Sequence, residues 1–530
     1  MGMKRCTPSA HRRSRYAEAL LSLALVLAGA GPVWAHGPED HGAGTGRGHG
    51  IIKRGGKEVR LSVGKTVYKH MCVFCHGADG NGGGKATDYL YPWPRDFRKG
   101  VYKHRSTPTG SLPLDEDIYQ TIVEGVPGTA MPAWKSALSE EEVWSVIEYL
   151  KSFSPRFKTE KPKKPIRVGT VPPTTPEAVE AGRRLYTELR CQRCHGTDLR
   201  GNGPMADRLY DIWDHRAFVY DLNNPNTYKW GFGKKDIFMT LSTGVDGTPM
   251  KSYSHLTEEE RWSLAAFVES HVRKEKYHPV EHEIDLYSVR TDQPVDNDPD
   301  NPVWDSVPVR TVRLIPLNAR KNPITRIEFQ SLVTDEEIAF RVSWEDPVAN
   351  RTSSRHQDFK DAVALEFALG DVTLHTHGHN EPFFGMGNRG KPVNIWQWRA
   401  DWQQEIETKK ELDYAVSEDM DMDVMIFGGE VNPVDSLNPF REVPIEELNA
   451  EGFGTLTPQP RTKQNIDGEG RFREGRWTVV FRRPLESFNK WDVKFTRGKP
   501  VLIGFAVWDG QLQDRNGRKT VSMWQRLHLP

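Results

Sequence analysis

The stretch Cys72-Val73-Phe74-Cys75-His76 has the C-x-x-C-H pattern, which recurs as Cys191-Gln192-Arg193-Cys194-His195. In this pattern two thiols bond covalently to a haem, and the adjacent histidine binds its iron. A zinc knuckle would need four ligands around each pair, and a redox dithiol needs no following histidine. The repeat therefore predicts two covalent haem c groups held by Cys72, Cys75, Cys191 and Cys194, with His76 and His195 as iron ligands.

A second repeated feature provides a candidate sixth ligand for each iron. The segments Gly128-Thr129-Ala130-Met131 and Gly247-Thr248-Pro249-Met250 each place a methionine 55 residues after the motif histidine. A single methionine is usually core filler, but the equal spacing and the shared turn favour Met131 and Met250 as distal thioether ligands.

Helix signals surround both motifs. Ser139 with Glu142, and Thr257 with Glu260, match the capping-box pattern ahead of apolar residues at helical spacing. A glycine and a tyrosine four residues apart precede each motif, as Gly64 with Tyr68 and as Gly182 with Tyr186.

Residues 61–153 and 177–275 each resemble a class I cytochrome c from end to end. The second domain departs by one extra residue between its tyrosine and its first cysteine. The resemblance implies two all-α domains with His/Met ligation.

Composition and the N-terminus indicate an exported soluble protein. The 530 residues are 37% hydrophobic and 27% charged, which fits several globular domains, and no long acidic or basic block indicates nucleic-acid binding. Residues 1–35 have a basic start, a short apolar run and small residues near Ala35, as in a cleaved signal peptide. We therefore expect a periplasmic protein whose mature chain has no transmembrane span, although an uncleaved anchor is an alternative.

Three further segments complete the N-terminal half. Residues 36–60 are rich in Gly and His and are expected to form a disordered leader, and residues 154–176 form a Pro/Lys-rich linker. Of the five cysteines, Cys6 lies in the signal peptide and the other four belong to the haem motifs. No cysteine remains for a disulfide or an iron–sulfur cluster.

From residue 285 to 530 the pattern changes to alternating apolar residues between turn signals. Examples are the runs 338–344, 363–369, 477–481 and 501–507. Such runs predict a mainly antiparallel β-sandwich. Residues 402–470 lack this alternation and are expected to be an insertion around the sheet edge.

Three segments of this domain carry a resemblance: 301–305, 383–398 and 506–524, the second containing Phe383-Phe384-Gly385-Met386-Gly387-Asn388. They resemble the haem-binding γ subunits of ethylbenzene dehydrogenase, dimethyl sulfide dehydrogenase, and chlorate and selenate reductases. The resemblance implies one non-covalent haem b ligated by a methionine and a lysine. Met386 matches the methionine, and Lys519 is the candidate lysine. The alternatives are a core methionine and a solvated turn lysine.

A histidine cluster precedes this loop, comprising His375, His377 and His379. Alternate positions of a strand face one side, so the three could bind a transition metal or supply another haem ligand. An exposed His-rich loop is the alternative.

The motifs together favour an electron-transfer subunit with two haem c groups and one haem b. The resemblance implies a periplasmic molybdopterin and iron–sulfur oxidoreductase as one partner, acting on nitrite, nitrate, chlorate or selenate. A soluble cytochrome or the respiratory chain is expected as the other partner. A catalytic haem enzyme with an open iron in the third domain, and a haem-based sensor, are the alternatives. The family's γ subunits usually lack attached c domains, so the direction of electron flow stays open.

Overall fold

The computed structural model describes residues 51–54, 57–279, 284–352, 355, 357–372, 374, 380–408 and 442–530. The predicted signal peptide, most of the predicted leader and the three clustered histidines lie outside these ranges. Among the described residues, no helix combines the length and the apolar character needed to cross a membrane.

The first haem domain is helical, as predicted. Its helices are α1 (Leu61–Val67), a π-helical turn (Tyr68–Cys72), α2 (Val73–His76), α3 (Asp115–Glu124) and α4 (Glu140–Lys151). A short helix, α5 (Arg156–Thr159), follows within the predicted linker. The capping box at the start of α4 is confirmed, because Ser139 accepts from the Glu142 N–H and Glu142 accepts from the Ser139 N–H. α1 crosses α4 at Gly64, where a Cβ would lie 2.0 Å from the Ser145 carbonyl oxygen.

The second haem domain repeats this arrangement. Its helices are α6 (Pro176–Glu188), α7 (Gln192–His195), α8 (Lys234–Thr243) and α9 (Glu258–Ser270). Its predicted capping box, Thr257 with Glu260, is confirmed at the start of α9. A Cβ at Gly182 would lie 2.0 Å from the Ser263 carbonyl oxygen, so α6 crosses α9 as α1 crosses α4.

The C-terminal domain is a two-layer sandwich. The strands of the chain are β1 (Ile51–Arg54), β2 (Lys57–Arg60), β3 (Asp285–Tyr287), β4 (Val289–Arg290), β5 (Arg310–Arg313), β6 (Ile315–Pro316), β7 (Arg326–Val333), β8 (Glu337–Glu345), β9 (Ala362–Ala368), β10 (Val393–Arg399), β11 (Ile445–Ala450), β12 (Thr457–Pro458), β13 (Asp467–Arg473), β14 (Arg476–Pro484), β15 (Val501–Trp508), β16 (Thr520–Val521) and β17 (Gln525–His528). Helix α10 (Ala400–Thr408) follows β10, and short 3-10 turns lie at Thr87–Tyr89, Ala206–Arg208, Pro225–Thr227, Lys274–Lys276, Pro302–Ser306, Arg461–Lys463 and Gly510–Leu512.

The larger sheet has nine strands in the order β12-β11-β10-β9-β15-β16-β6, with β17 beside β15 and β3 beside β17. The smaller has the order β13-β14-β8-β7-β4, with β5 beside β7. All pairs in the two sheets are antiparallel except β3 with β17 and β4 with β7. Apolar residues of β8 and β14 pack against those of β9, β10 and β15 in the core between the sheets. The predicted mainly antiparallel sandwich is confirmed.

The predicted insertion at 402–470 is wrong for its second half. β11 pairs along its length with β10, and β13 pairs with β14, so both strands belong to the sandwich. The alternation of apolar and polar residues is interrupted in β11, because the polar Glu447 is fully buried. Its carboxylate accepts a hydrogen bond from Asn394 at 3.0 Å. A buried, hydrogen-bonded carboxylate occupies a position at which a pattern search expects an apolar residue.

The predicted disorder of 36–60 is also wrong at its end. β1 and β2 form an antiparallel hairpin, in which Val59 is buried. The Arg60 N–H donates to the Ser145 hydroxyl at 3.2 Å. This contact with α4 is tertiary, so local composition does not reveal it.

Candidate haem-binding sites

The first C-x-x-C-H motif spans the junction of the π-helical turn and α2. The His76 Nδ1 lies 3.0 Å from the Arg95 carbonyl oxygen, which can only accept, so Nδ1 donates. Burial lowers the pKa of His76 to about 4. A neutral ring with its proton on Nδ1 leaves the Nε2 lone pair free for a metal.

The second motif also ends in a four-residue helix, α7, but no π-helical turn precedes it. Its His195 Nδ1 is buried and has no hydrogen-bond partner among the described residues. Burial lowers the pKa of His195 to about 4, so this ring is also neutral near pH 7. The Tyr186 hydroxyl donates to the Gly196 carbonyl at 2.7 Å, as the Tyr68 hydroxyl does to Gly77. The extra residue before Cys191 is accommodated by Arg190 in a left-handed conformation, φ 59°.

The two methionine turns make the same hydrogen bonds. The N–H of Met131 donates to the Thr129 hydroxyl at 3.2 Å, and that of Met250 donates to the Thr248 hydroxyl at 3.2 Å. The carbonyl of each methionine accepts from a valine N–H, at 3.0 and 2.9 Å respectively. The shared sequence Gly-Thr-x-Met therefore encodes one turn geometry at both sites.

The candidate haem ligands and the motif cysteines of both helical domains border one cavity of about 520 Å³. The predicted site residues that line it are Cys72, Cys75, His76, Met131, Cys191, Cys194, His195 and Met250. The structure thus brings to one cavity eight residues from four separate segments, the two C-x-x-C-H motifs and the two methionine turns.

The cavity wall also carries half-buried basic side chains that the sequence motifs did not indicate. Burial lowers the pKa of Arg95 to about 10 and that of Lys103 to about 8, and it lowers the pKa of Lys229 well below its usual range. Burying cations is costly unless anions compensate them. The two propionates of a haem are such anions, so the donor set and the charges of the wall both fit haem.

The third candidate site lies on the larger sheet. Met386 has φ 79°, a left-handed conformation that is uncommon outside glycine. Its N–H donates to the Glu366 carboxylate at 3.0 Å, and its carbonyl accepts from the Gly452 N–H at 2.8 Å. Hydrogen bonds on both sides therefore hold the Met386 backbone in this conformation.

Lys519 interacts electrostatically with the same carboxylate. Its Nζ is 4.7 Å from the centre of the Trp508 ring, and burial lowers the pKa of the Lys519 amine although the Glu366 charge raises it. Burial also raises the pKa of Glu366, and the Lys519 charge lowers it. A depressed pKa favours the neutral amine that can bind iron. Ala364 and Ala368 flank Glu366 on its face of β9, and these small side chains suit a flat macrocycle.

Sequence reasoning missed Glu366. The available signal was a single carboxylate inside the otherwise apolar strand Ala-Val-Ala-Leu-Glu-Phe-Ala of β9. Such a position is costly unless the group has a partner, which here is the Met386 N–H.

Family models match three regions of the chain. Residues 301–431 and 444–520 match the model for ethylbenzene dehydrogenase, residues 60–150 match cytochrome c oxidase, cbb3-type, subunit III, and residues 179–271 match cytochrome c.

Two curated relatives each match a little under half of the chain. The chain is 30% identical over 244 residues to the "Putative respiratory nitrate reductase heme subunit ORF7" of Haloferax mediterranei, covering 45% of this chain and 69% of that one. It is 28% identical over 240 residues to the chlorate reductase subunit gamma of Ideonella dechloratans, covering 44% and 79%. A solved chain of the reducing HAO-like protein complex of Kuenenia stuttgartiensis is 39% identical, with a TM-score of 0.40, covering 42% of this chain and 100% of that one.

Proposed function

Because this chain belongs to the ethylbenzene dehydrogenase family and carries two fused cytochrome c domains, we propose that it is a periplasmic multihaem electron-transfer subunit of an oxidoreductase. The observation that carries this proposal is the common cavity bordered by His76, Met131, His195 and Met250. A cavity with two histidine–methionine pairs and four cysteines has the donors for two six-coordinate haems. Six-coordinate haem iron transfers single electrons without binding substrate.

The proposal assigns three haem groups. Cys72 and Cys75 hold one covalent haem c, with His76 and Met131 as its axial ligands, and Cys191, Cys194, His195 and Met250 hold the second in the same way. Met386 and Lys519 are the ligands of one non-covalent haem b. In this arrangement Glu366 fixes the backbone of Met386. The basic side chains of Arg95, Lys103 and Lys229 on the cavity wall compensate propionate charge, and the propionates in turn favour their protonated forms.

The proposed partner on one side is a molybdopterin and iron–sulfur oxidoreductase. The names of the two curated relatives, a nitrate reductase haem subunit and a chlorate reductase γ subunit, support an enzyme of this class. Nitrite, nitrate, chlorate and selenate chemistry are all compatible with it. A soluble cytochrome or a component of the respiratory chain is the proposed partner on the other side.

A pyridine haemochrome assay on the purified holoprotein tests the assignment. We expect two haem c and one haem b per chain, and a ferrous spectrum that carbon monoxide does not change. Carbon monoxide binding to wild-type haem b would instead favour the catalytic alternative. A chain with both haem c groups but no haem b, purified under conditions that retain b haems, would contradict the assignment of the third domain.

A further inference from the structure

We propose that the ring stack between Phe74 and Phe383 couples the third-domain site to the first cytochrome c domain, so that this domain lies between the other two sites in the electron path. The inference rests on the proposed function. It adds the order of the three sites and identifies the residues that join two of them.

The two rings belong to the two binding motifs themselves. Phe74 stands between Cys72 and Cys75, and Phe383 precedes Met386 by three residues. Their ring centres are 4.6 Å apart with an interplanar angle of 28°, which is a stacked contact. This stack is a direct side-chain contact between the C-x-x-C-H loop and the Met386 loop.

The surroundings of this stack are apolar and tightly packed. Core residues of the first haem domain and residues on the outer face of the larger sheet form one continuous hydrophobic cluster. Phe384, next to Phe383, is 8% exposed and also borders the haem cavity of the helical domains. Electron tunnelling decays less steeply through packed atoms than across gaps, so this packing favours transfer at this contact.

Backbone hydrogen bonds form a second connection between the first haem domain and the third-domain site. The Tyr91 N–H of the first haem domain donates to the Leu317 carbonyl at 2.9 Å, and the Leu317 N–H donates to the Lys519 carbonyl at 3.1 Å. The first haem domain is therefore hydrogen-bonded, through one intervening residue, to the candidate lysine ligand as well.

The second haem domain contacts the first through the methionine turns. The Tyr220 hydroxyl donates to the Gly128 carbonyl at 3.2 Å, and the Lys229 amine donates to the Pro127 carbonyl at 2.6 Å. In the other direction, Thr109 of the first domain donates to Asp246 at 2.6 Å. The first haem domain thus uses its C-x-x-C-H loop toward the sandwich and its methionine turn toward the second haem domain.

A contact between the second haem domain and the sandwich is of a different kind. Asn224 donates to the Lys321 carbonyl at 3.0 Å, and neither residue belongs to a candidate ligand loop. This polar contact attaches the domain without joining two motifs. The geometry therefore favours the order third domain, first haem domain, second haem domain.

Phe74→Leu, Phe383→Leu and the double variant test the stack in the full-length holoprotein. Haem content by pyridine haemochrome and the unfolding midpoint in denaturant are measured first, since neither depends on turnover. A double-mutant cycle of the midpoints should be non-additive, because either substitution alone removes the same ring contact. Pulse radiolysis then injects one electron, and the rate of equilibration between the b and c absorption bands is followed.

We expect both single variants to keep three haems and to slow b-to-c equilibration several-fold, with the double variant no slower than the slower single one. Phe74→Tyr and Phe383→Tyr, which keep the rings, should retain the wild-type rate, as should Phe488→Leu, whose ring is 98% exposed. Should Phe74→Leu lose haem, Phe383→Leu tests the same contact from outside the covalent motif. Unchanged equilibration in fully loaded variants would overturn the inference and leave the proposed function intact, whereas a wild-type protein without haem b would overturn the proposed function itself.

Discussion

Arg105 of the first haem domain and Asp246 of the second form an ion pair at 2.9 Å, and the Arg105 side chain is fully buried. The same guanidinium donates to the Thr243 carbonyl at 2.8 Å. Asp246 stands four residues before Met250, so the pair fixes the second methionine turn against the first haem domain. The ion pair therefore joins the two haem domains next to the common cavity, which Arg105 also borders.

Asp246→Asn is expected to destabilise the interface between the haem domains. Removing the carboxylate charge leaves the buried Arg105 cation without compensation, a loss of about 3 kcal/mol in the free energy of unfolding. Chemical denaturation of the holoprotein, followed at the Soret band, measures this change. As the matched control, Arg183→Met breaks an exposed pair with Glu180 and should leave the unfolding midpoint unchanged. Equal midpoints for Asp246→Asn and the wild type would contradict the role of the pair.

Met131→Ala is expected to open the iron of the first haem c to external ligands. The ferrous variant should bind one carbon monoxide per chain, because the distal thioether is gone and alanine offers no replacement. Optical titration with carbon monoxide detects the change in the Soret band. Met239→Ala removes a methionine of α8 that does not border the cavity, and it should bind none. A Met131→Ala spectrum insensitive to carbon monoxide would identify another distal ligand.

Lys519→Ala is expected to abolish haem b while both haem c groups remain. The half-buried amine interacts electrostatically with Glu366, and alanine supplies no donor to iron. The pyridine haemochrome ratio of c to b reports the loss directly. Arg518→Ala alters the exposed neighbouring residue and should keep the b signal. Retention of a wild-type b signal in Lys519→Ala would exclude Lys519 as a ligand.

A buried carboxylate group in the sandwich predicts a pH dependence of stability. Burial, together with the Asp361 charge, raises the pKa of Asp346 to about 7, and burial raises the pKa of Asp361 to about 6. Between about pH 4 and pH 7 the folded state binds more protons than the unfolded state, so the stability falls as the pH rises through this window. The ionised carboxylates then oppose folding above pH 7.

Asp346→Asn removes one of these charges and should raise the free energy of unfolding by about 2 kcal/mol at pH 8, with little effect at pH 4. Denaturant titrations at both pH values measure the difference. Asp292→Asn, at a side chain that is 95% exposed, is the control and should change neither value. A lower stability of Asp346→Asn at pH 8 would show that the ionised group is stabilised in the fold.

The sequence alone was sufficient to predict the repeated elements of the molecule. The two C-x-x-C-H motifs, the equal spacing to the two methionines and the two capping boxes are local patterns, since each depends on residues close together in the chain. The alternating runs predicted the sandwich for the same reason. The sequence did not predict β11, because the buried position 447 is a glutamate and not an apolar residue. Its carboxylate is hydrogen-bonded to Asn394 of the adjacent strand, which is 53 residues away in the chain.

The tertiary structure decided how these elements combine. It placed the eight haem-motif residues on one cavity, brought Glu366 to both Met386 and Lys519, and stacked Phe74 on Phe383. No periodic pattern or fixed spacing in the sequence indicates these contacts. Each joins surfaces from distant parts of the chain, and their shapes and charges become complementary only after the domains fold. Motifs identify the ligands of single sites by chemistry, whereas the order of those sites depends on packing between domains.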